Sequence, residues 1–478
     1  MLRALAYARA HRKKSLGELM DFVRFPTISA QPKHQSDIMS CANWLARHLR
    51  RIGLGDVEII PTKRNPLICA RWHGAPERPT LLIYGHYDVQ PADPLDKWRS
   101  PPFEPTLRGA DLVGRGACDD KGQMFTHVKA LESYLQTAGV LPVNVTCLFE
   151  GEEEIGSPNL LPFIVRNQRS VAADTAVMSD TRMLGPDRPA INYAERGALY
   201  LELDVHGPGH DLHSGNFGGA VHNPLQALCE MIAKFHDANG RIAIPGFYES
   251  VRTLTDKERA YMARAGPSDD QILDNAQAEV AWGERGYSLY ERLTARPALT
   301  VNGISGGYHG PGGKGVIPAR ATAKLSFRLV PDQDSRQIDR LFREYIARIT
   351  PPTVHATVRT LSRAEPVVID PRHPANRAAS LAYRKGFGAA PVFLRSGGTI
   401  PILSAFQKTL GIPTVLMGFA LPDDRMHAPN EKFHIPNFFK GIETSIWFMD
   451  ALASAPGLHF RTPRPGREVS GKKAGTLL

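Results

Sequence analysis

The chain has 478 residues, of which 42% are apolar, and a formal net charge of +10. That length favours two or more domains with sizeable cores, and 42 glycines and 38 prolines spread along the chain exclude a fibrous or low-complexity protein. Part of the basic excess sits in the tail, where Arg461, Arg464, Arg467, Lys472 and Lys473 face the single acid Glu468; with no interleaved aromatics and no recognition-helix pattern, it reads as solvated surface and not as a nucleic-acid or membrane site.

Met1–Lys14 is basic but lacks the apolar region of a secretory signal. Ser15-Leu16-Gly17-Glu18 reads as a capping box that opens a helix with Leu16, Leu19, Met20 and Val23 on one face. A second helix is expected from Asp37 to about Arg51, with Ile38, Cys41, Leu45 and Leu49 inward. Leu81–Tyr84, Val143–Phe149 and Thr175–Met178 are short apolar runs bounded by polar or glycine-rich segments, as buried strands of a mixed or parallel sheet would be. Gln123–Thr137 reads as a helix between two of them.

The character changes near Tyr193. Ala198–His206 alternates as a half-exposed strand does, and Pro224–Asp237 reads as a helix. An irregular charged stretch follows. Leu299–Ile304, Ala321–Val330 and Val354–Leu361 then read as strands and Asp334–Ile349 as a helix, giving a compact α+β unit with one open sheet face. From about Val367 to Ser454 the first style resumes. The expected organisation is an α/β catalytic domain over residues 1–192 and 366–458, a mixed or parallel sheet with helices on both faces. An α+β domain over 193–365 is inserted in it, and residues 459–478 form a basic tail. Cys41, Cys69, Cys118, Cys147 and Cys229 form no CxxC pair, and an odd set of scattered thiols points to the cytoplasm. No apolar run approaches the roughly 20 residues that span a bilayer.

Candidate metal ligands stand beside the strand ends: His86, Asp119, the pair Glu153-Glu154, Asp180 and, far downstream, His427. In open α/β sheets ligands gather at the carboxyl ends of the strands. Singly, each acid reads as surface or helix cap and each imidazole as a hydrogen-bonded loop residue. Jointly, two imidazoles and three carboxylates suit two divalent cations about 3.5–4 Å apart, bridged by a carboxylate and a water. Three like charges at Glu152-Glu153-Glu154, just past an apolar strand, also call for cations. One of the two adjacent glutamates can ligate while the other serves as general base. Asp88, two residues beyond His86, is placed to accept the second imidazole N–H.

Gly85-His86-Tyr87-Asp88-Val89-Gln90-Pro91, Gly114-Arg115-Gly116 with Asp119-Asp120-Lys121-Gly122, Glu153-Glu154-Ile155-Gly156-Ser157 and Asp211-Leu212-His213-Ser214-Gly215 together resemble the M20 metallopeptidase family, nearest its carnosinase-like dipeptidase branch. The resemblance runs from about Leu16 to Leu452. It implies that Asp119 bridges two metals, that His86 and Asp180 complete one site and Glu154 and His427 the other, and that Glu153 is the base. It implies a cis peptide at Asp119-Asp120, while the ligand set itself tolerates zinc first, and manganese or cobalt, for the two cations of each subunit. It also implies a ferredoxin-like inserted lid that forms a homodimer and lends His213 to the partner's active site. Arg328 resembles the arginine that grips a substrate carboxylate, for which a planar guanidinium suits, and Gly397-Gly398-Thr399-Ile400-Pro401 resembles the substrate loop, with Thr399 in it.

Two positions depart from the dipeptidase pattern: Gly315 stands where relatives carry threonine, and Ser396 where the closest relatives carry glutamate. The second removes a carboxylate that could hold a substrate's free amine. Two substrate classes therefore stay open, dipeptides or short peptides and N-acyl or N-carbamoyl amino acids. With the ligand set and the base intact, a non-catalytic binding protein is the third and weakest reading.

Overall fold

The computed structural model describes residues 1–455, so the basic tail at 459–478 lies outside the described residues. Four strands run parallel at the centre of a nine-stranded sheet: Asn144–Glu150, Thr80–His86, Thr175–Met178 and Thr414–Met417. Leu67–Trp72 and Asp56–Ile60 extend it antiparallel on one side. Ala190–Glu195, with Val367–Val368 and Val392–Arg395 paired to it, extends it on the other. The central strands are apolar on both faces because both are covered. Ile83, Val145, Val177 and Met417 face a core shared with the helices Leu2–Ala10, Gln35–Ile52, Lys121–Ala138, Pro374–Gly386 and Ile435–Ala453. Leu82, Tyr84, Leu148 and Met178 face the opposite core, with Leu160–Arg166 and Pro401–Ala405. The α/β class with helices on both faces is what the sequence leads one to expect.

A second sheet is wholly antiparallel, in the order Ala298–Gly306, Arg320–Leu329, Gly197–His206, His355–Ala364. The helices Pro224–Ile232 and Ser335–Ile349 cover one face, over Leu199, Leu201, Leu203, Leu325 and Phe327. Asp334 caps the second helix by accepting from the backbone N–H groups of Arg336 and Gln337.

Several expectations are corrected. Ser15 opens no helix: it is buried inside Arg12–Val23, and its N–H donates to His11 O at 2.9 Å, while a further helix, Leu2–Ala10, precedes it. Leu5, Ala8 and Leu19 belong to one core, so burial carries the helical face back past the serine. The strand Gly197–His206 is not half-exposed. Its outward Glu202 and Asp204 are 8% exposed each, covered by Arg359 and Arg320. The helix from Pro224 stops at Ile232, after which Phe235 turns into the core. The stretch read as irregular holds three helices, Asp256–Ala265, Asp269–Ala276 and Leu289–Thr294. Met262, Ala265 and Tyr290 pack with Ala190 and Leu394 of the large sheet, and residues 193–195 continue a strand of that sheet, so the change of style at Tyr193 precedes the change of sheet.

Candidate metal centre

Topology brings the ligand candidates to one edge. His86 ends its strand, Glu153 and Glu154 lie in the 3-10 turn Glu153–Ile155 beyond the next, and Asp180 follows a third by two residues. Asp119 immediately precedes the cis Asp119-Asp120 bond and the buried helix Lys121–Ala138. His427 arrives on the loop after Thr414–Met417, where Arg425, His427 and Asn430 all take positive φ (56°, 62° and 62°), a conformation that side chains other than glycine rarely adopt.

The two oxygens of Asp119 face different imidazoles. Oδ1 lies 3.1 Å from His86 Nε2, and Oδ2 lies 2.9 Å from His427 Nε2. Asp180 Oδ2 is 3.9 Å from His86 Nε2, and Glu154 Oε2 is 3.3 Å from His427 Nε2. His86, Asp119 and Asp180 thus form one group and Asp119, Glu154 and His427 another, each with its ligand atoms within 4.8 Å. Asp88 braces both sides. Its carbonyl oxygen is 3.1 Å from His86 Nδ1 and its carboxylate 3.4 Å away, which leaves Nε2 as the outward ring atom. Its two carboxylate oxygens accept from the N–H groups of Glu153 and Glu154 at 3.2 and 3.1 Å.

Two nearby acids, Glu152 of the triple charge and Glu150 at the strand end, are occupied elsewhere. Glu152 accepts from Asn65 N at 2.8 Å and from Asn159 Nδ2, and Glu150 accepts from Tyr84 and Ser157 hydroxyls. The triple charge at 152–154 is therefore only a double charge at the site. Glu431, which sequence reasoning passed over, organises the Asp119 loop. Its Oε2 accepts from Arg115 Nη1 (2.7 Å) and Gly116 N (3.0 Å), and its Oε1 from Cys118 N and Asp119 N (3.0 Å each).

The charges of this cluster are unbalanced. Burial and then the charge of Asp119 push Asp180 up to about 7. Burial lifts Glu153 well above the usual carboxylate range, with Asp180 and Glu154 adding to the effect and His86 opposing it. Burial works against the charge on Asp119 as well, but His427 and His86 outweigh it and hold that carboxyl below its usual range. Hydrogen bonding to Asp119 and Glu154 pushes His427 up to about 10. Buried His86 Nε2, though close to two carboxylates, makes no hydrogen bond. Three carboxylates with two ring nitrogens aimed among them form a donor set that two divalent cations satisfy, with one imidazole and one carboxylate each and Asp119 shared.

The cluster opens on a cavity of about 880 Å³ lined by Asp119, Glu153, Asp180, His427, Thr399 and others. Arg328 reaches its rim, where Nη1 donates to Thr399 Oγ1 at 2.8 Å while that hydroxyl donates to Arg196 O. His213 is not brought to the cluster. It is exposed on the two-residue strand Leu212–His213, its Nδ1 accepting from Gly215 N at 3.0 Å. Gly315 accepts from Ser214 N at that same corner, away from the cavity lining. A carboxylate that the sequence did not disclose does line the cavity: Glu195, at the end of Ala190–Glu195. Its signal, a glutamate closing an otherwise uncharged strand, fell just past the expected domain boundary.

Residues 82–449 match Peptidase family M20/M25/M40, and the chain belongs to that family: it is a hydrolase, a metal-dependent peptidase. It is 30% identical over 453 residues to the Cys-Gly metallodipeptidase DUG1 of Candida albicans, covering 91% of this chain and 93% of that protein. Its structure matches that of the M20 metallo-carboxypeptidase Sso-CP2 from Sulfolobus solfataricus with a TM-score of 0.84 at 32% identity, covering 92% of this chain and 99% of the other. Human carnosine dipeptidase 1 matches with a TM-score of 0.81 at 29% identity, over 94% and 98% of the two chains.

Proposed function

We propose that this enzyme hydrolyses the amide bond of dipeptides and short peptides at the Asp119-centred cluster. The observation that carries the reading is Asp119 itself, whose two oxygens address two separate imidazoles over one cavity. His86 and Asp180 would hold one cation and Glu154 and His427 the other, with Asp119 shared, and zinc, manganese and cobalt all suit this nitrogen-and-oxygen set. When bound, such cations would supply Lewis acidity and lower the pKa of the attacking water.

The chain's own groups do the rest. Asp88 fixes the ring of His86 and the turn that carries both glutamates. Glu153, next to a ligand but free of His427, takes the proton of the attacking water and returns it to the departing amine. Arg328 and Thr399 receive the substrate's carboxylate, a planar fork paired with a hydroxyl. His213, exposed and remote from its own cluster, acts across a homodimer interface as a donor to the developing oxyanion. The five unpaired cysteines suit a reducing compartment, the cytoplasm.

The test is amine release from a dipeptide panel, with and without chelator, alongside metal analysis. Chelation abolishes turnover, zinc, manganese or cobalt restores it, and active enzyme holds two cations per chain. Active enzyme without metal overturns the reading. For the dimer, His213→Ala and Glu153→Gln subunits are mixed and allowed to exchange. Activity returns to as much as half of the wild-type level if His213 acts across the interface, because one site per mixed dimer keeps both residues. It stays absent if His213 acts within its own subunit.

A further inference from the structure

Glu195 is 3% exposed and lines the same cavity as the ligand cluster, yet it belongs to neither metal-ligand group. Its partners are neutral. Asn192 Nδ2 donates to Oε1 at 3.1 Å, and the Ser396 hydroxyl also bonds the carboxylate. The nearest cation in sequence, Arg196, turns away, its Nε donating to Gly397 O at 3.1 Å and Nη1 to Arg296 O at 3.4 Å. Among the described residues no ion pair within 4.0 Å reaches Glu195. Burial, only partly offset by those two hydrogen bonds, pushes the carboxyl up to about 7. Gly398 borders the pair closely: a Cβ built on it would lie 3.5 Å from Glu195 Oε2 and 3.2 Å from Ser396 Oγ, so a side chain there would crowd both.

A buried carboxylate with only neutral partners is costly, and a cation from outside relieves that cost. We propose that Glu195 binds the primary ammonium of the substrate's N-terminal residue, and so selects free-amine over N-acylated amides. The inference rests on the peptide-hydrolase reading above. The position also answers the departure at Ser396: the carboxylate missing from the loop is supplied by the adjoining strand, with Ser396 as its hydrogen-bond partner. The ligating group is an ammonium, which a substrate can present as its α-amine or as a lysine-like side chain; the assignment here is to the α-amine.

The experiment compares wild type with the near-isosteric Glu195→Gln. Hydrolysis of a neutral dipeptide is measured against its N-acetyl form, and binding of non-hydrolysable isosteres of both is measured by calorimetry. An N-acetyl-lysyl peptide and its isostere form a third arm. Wild type prefers the free amine, and Glu195→Gln lowers that preference by about 10–100-fold, mainly through KM, while N-acetyl substrates change little. An unchanged preference, or a parallel loss of both substrates, overturns the assignment. Equal preference for the N-acetyl-lysyl arm in wild type, lost in Glu195→Gln, overturns the α-amine and gives the site to a side chain. If no amide is cleaved, the hydrolase reading fails while the ratio of isostere affinities still decides Glu195. Should Glu195→Gln not fold, Glu195→Asp, which shifts the charge by one methylene, is read in the same way.

Discussion

Among the described residues two clusters bring histidine and acid side chains together in metal-like geometry, and only one has its charges met from within. Glu18, His48 and Glu132 place their ligand atoms within 4.8 Å of one another, as closely as the two groups around Asp119 do. There, however, Lys129 Nζ lies 2.5 Å from Glu18 Oε2 and also pairs with Glu132, and Lys14 Nζ lies 2.7 Å from Glu132 Oε1. Burial and the nearby Lys129 and Arg51 hold His48 down to about 3, so it stays neutral. Around Asp119 no lysine or arginine among the described residues does this work, and the imbalance falls on carboxyls pushed up and imidazoles held charged. Metal-like composition is common; among the described residues, the missing counter-cation is what favours the Asp119 cluster over the other as a candidate metal site.

The largest expected effect breaks the second cluster outright. Asp119→Ala removes a ligand from both cations, and kcat/KM falls by at least about 10⁴-fold, with metal content below one per chain; this ratio and the metal stoichiometry check it. Glu153→Gln keeps two cations but loses about 10²–10⁴ in kcat, whereas Glu154→Gln loses one cation first. A Glu153→Gln enzyme with near-normal turnover would remove Glu153 from the role of base.

Next in size, Lys129→Met strips the first cluster of its main cation while conserving most of the volume. Breaking one side of a buried ion pair costs about 3–5 kcal/mol, read from denaturant unfolding. The same variant sharpens the comparison through pH. Although burial opposes it, Lys129 and Lys14 hold Glu132 at about 2 in the folded chain against an ordinary 4.5. A folded pKa below the unfolded one gives stability that is present above about pH 4.5 and fades as pH falls toward 2. Lys129→Met flattens that slope, and urea midpoints between pH 2 and 5 measure it. The smallest effect belongs to the outward ladder of the second sheet. Arg359→Ala releases an exposed arginine from Glu202, 2.5 Å away, and changes stability by about 1 kcal/mol or less.

Legibility in the sequence followed physical contrast. The central strands were readable because burial on both faces makes them unbroken apolar runs, and the candidates His86, Glu153-Glu154 and Asp180 because they stand where those runs stop. The helices between Asp256 and Thr294 were not, since their surfaces are mostly charged, although Ser268 with Gln271 and Ser288 with Glu291 form genuine capping boxes. The box at Ser15 misled for the converse reason: local chemistry signalled a start that burial of Leu5 and Ala8 overrode. Glu152 was indistinguishable from Glu153 by sequence, because only Asn65 and Asn159, both distant or across a turn, turn it away. Glu195 and Glu431 escaped because one carboxylate's partners, or their absence, are set by folding alone.

The grip of Glu431 on residues 115–119 has a consequence for the order in which the enzyme comes into being. The loop that holds Asp119 is tied by a side chain four residues after His427, so an early candidate ligand and the last one depend on one and the same late segment. A nascent chain emerging from its N-terminal end can assemble the strands of His86, Glu154 and Asp180 early, but it has no finished loop at Asp119 until Glu431 has left the ribosome. The Asp119 loop is thereby completed only once the segment around Glu431 has been made, the same segment that carries His427, and before the helix Ile435–Ala453 can close over the core.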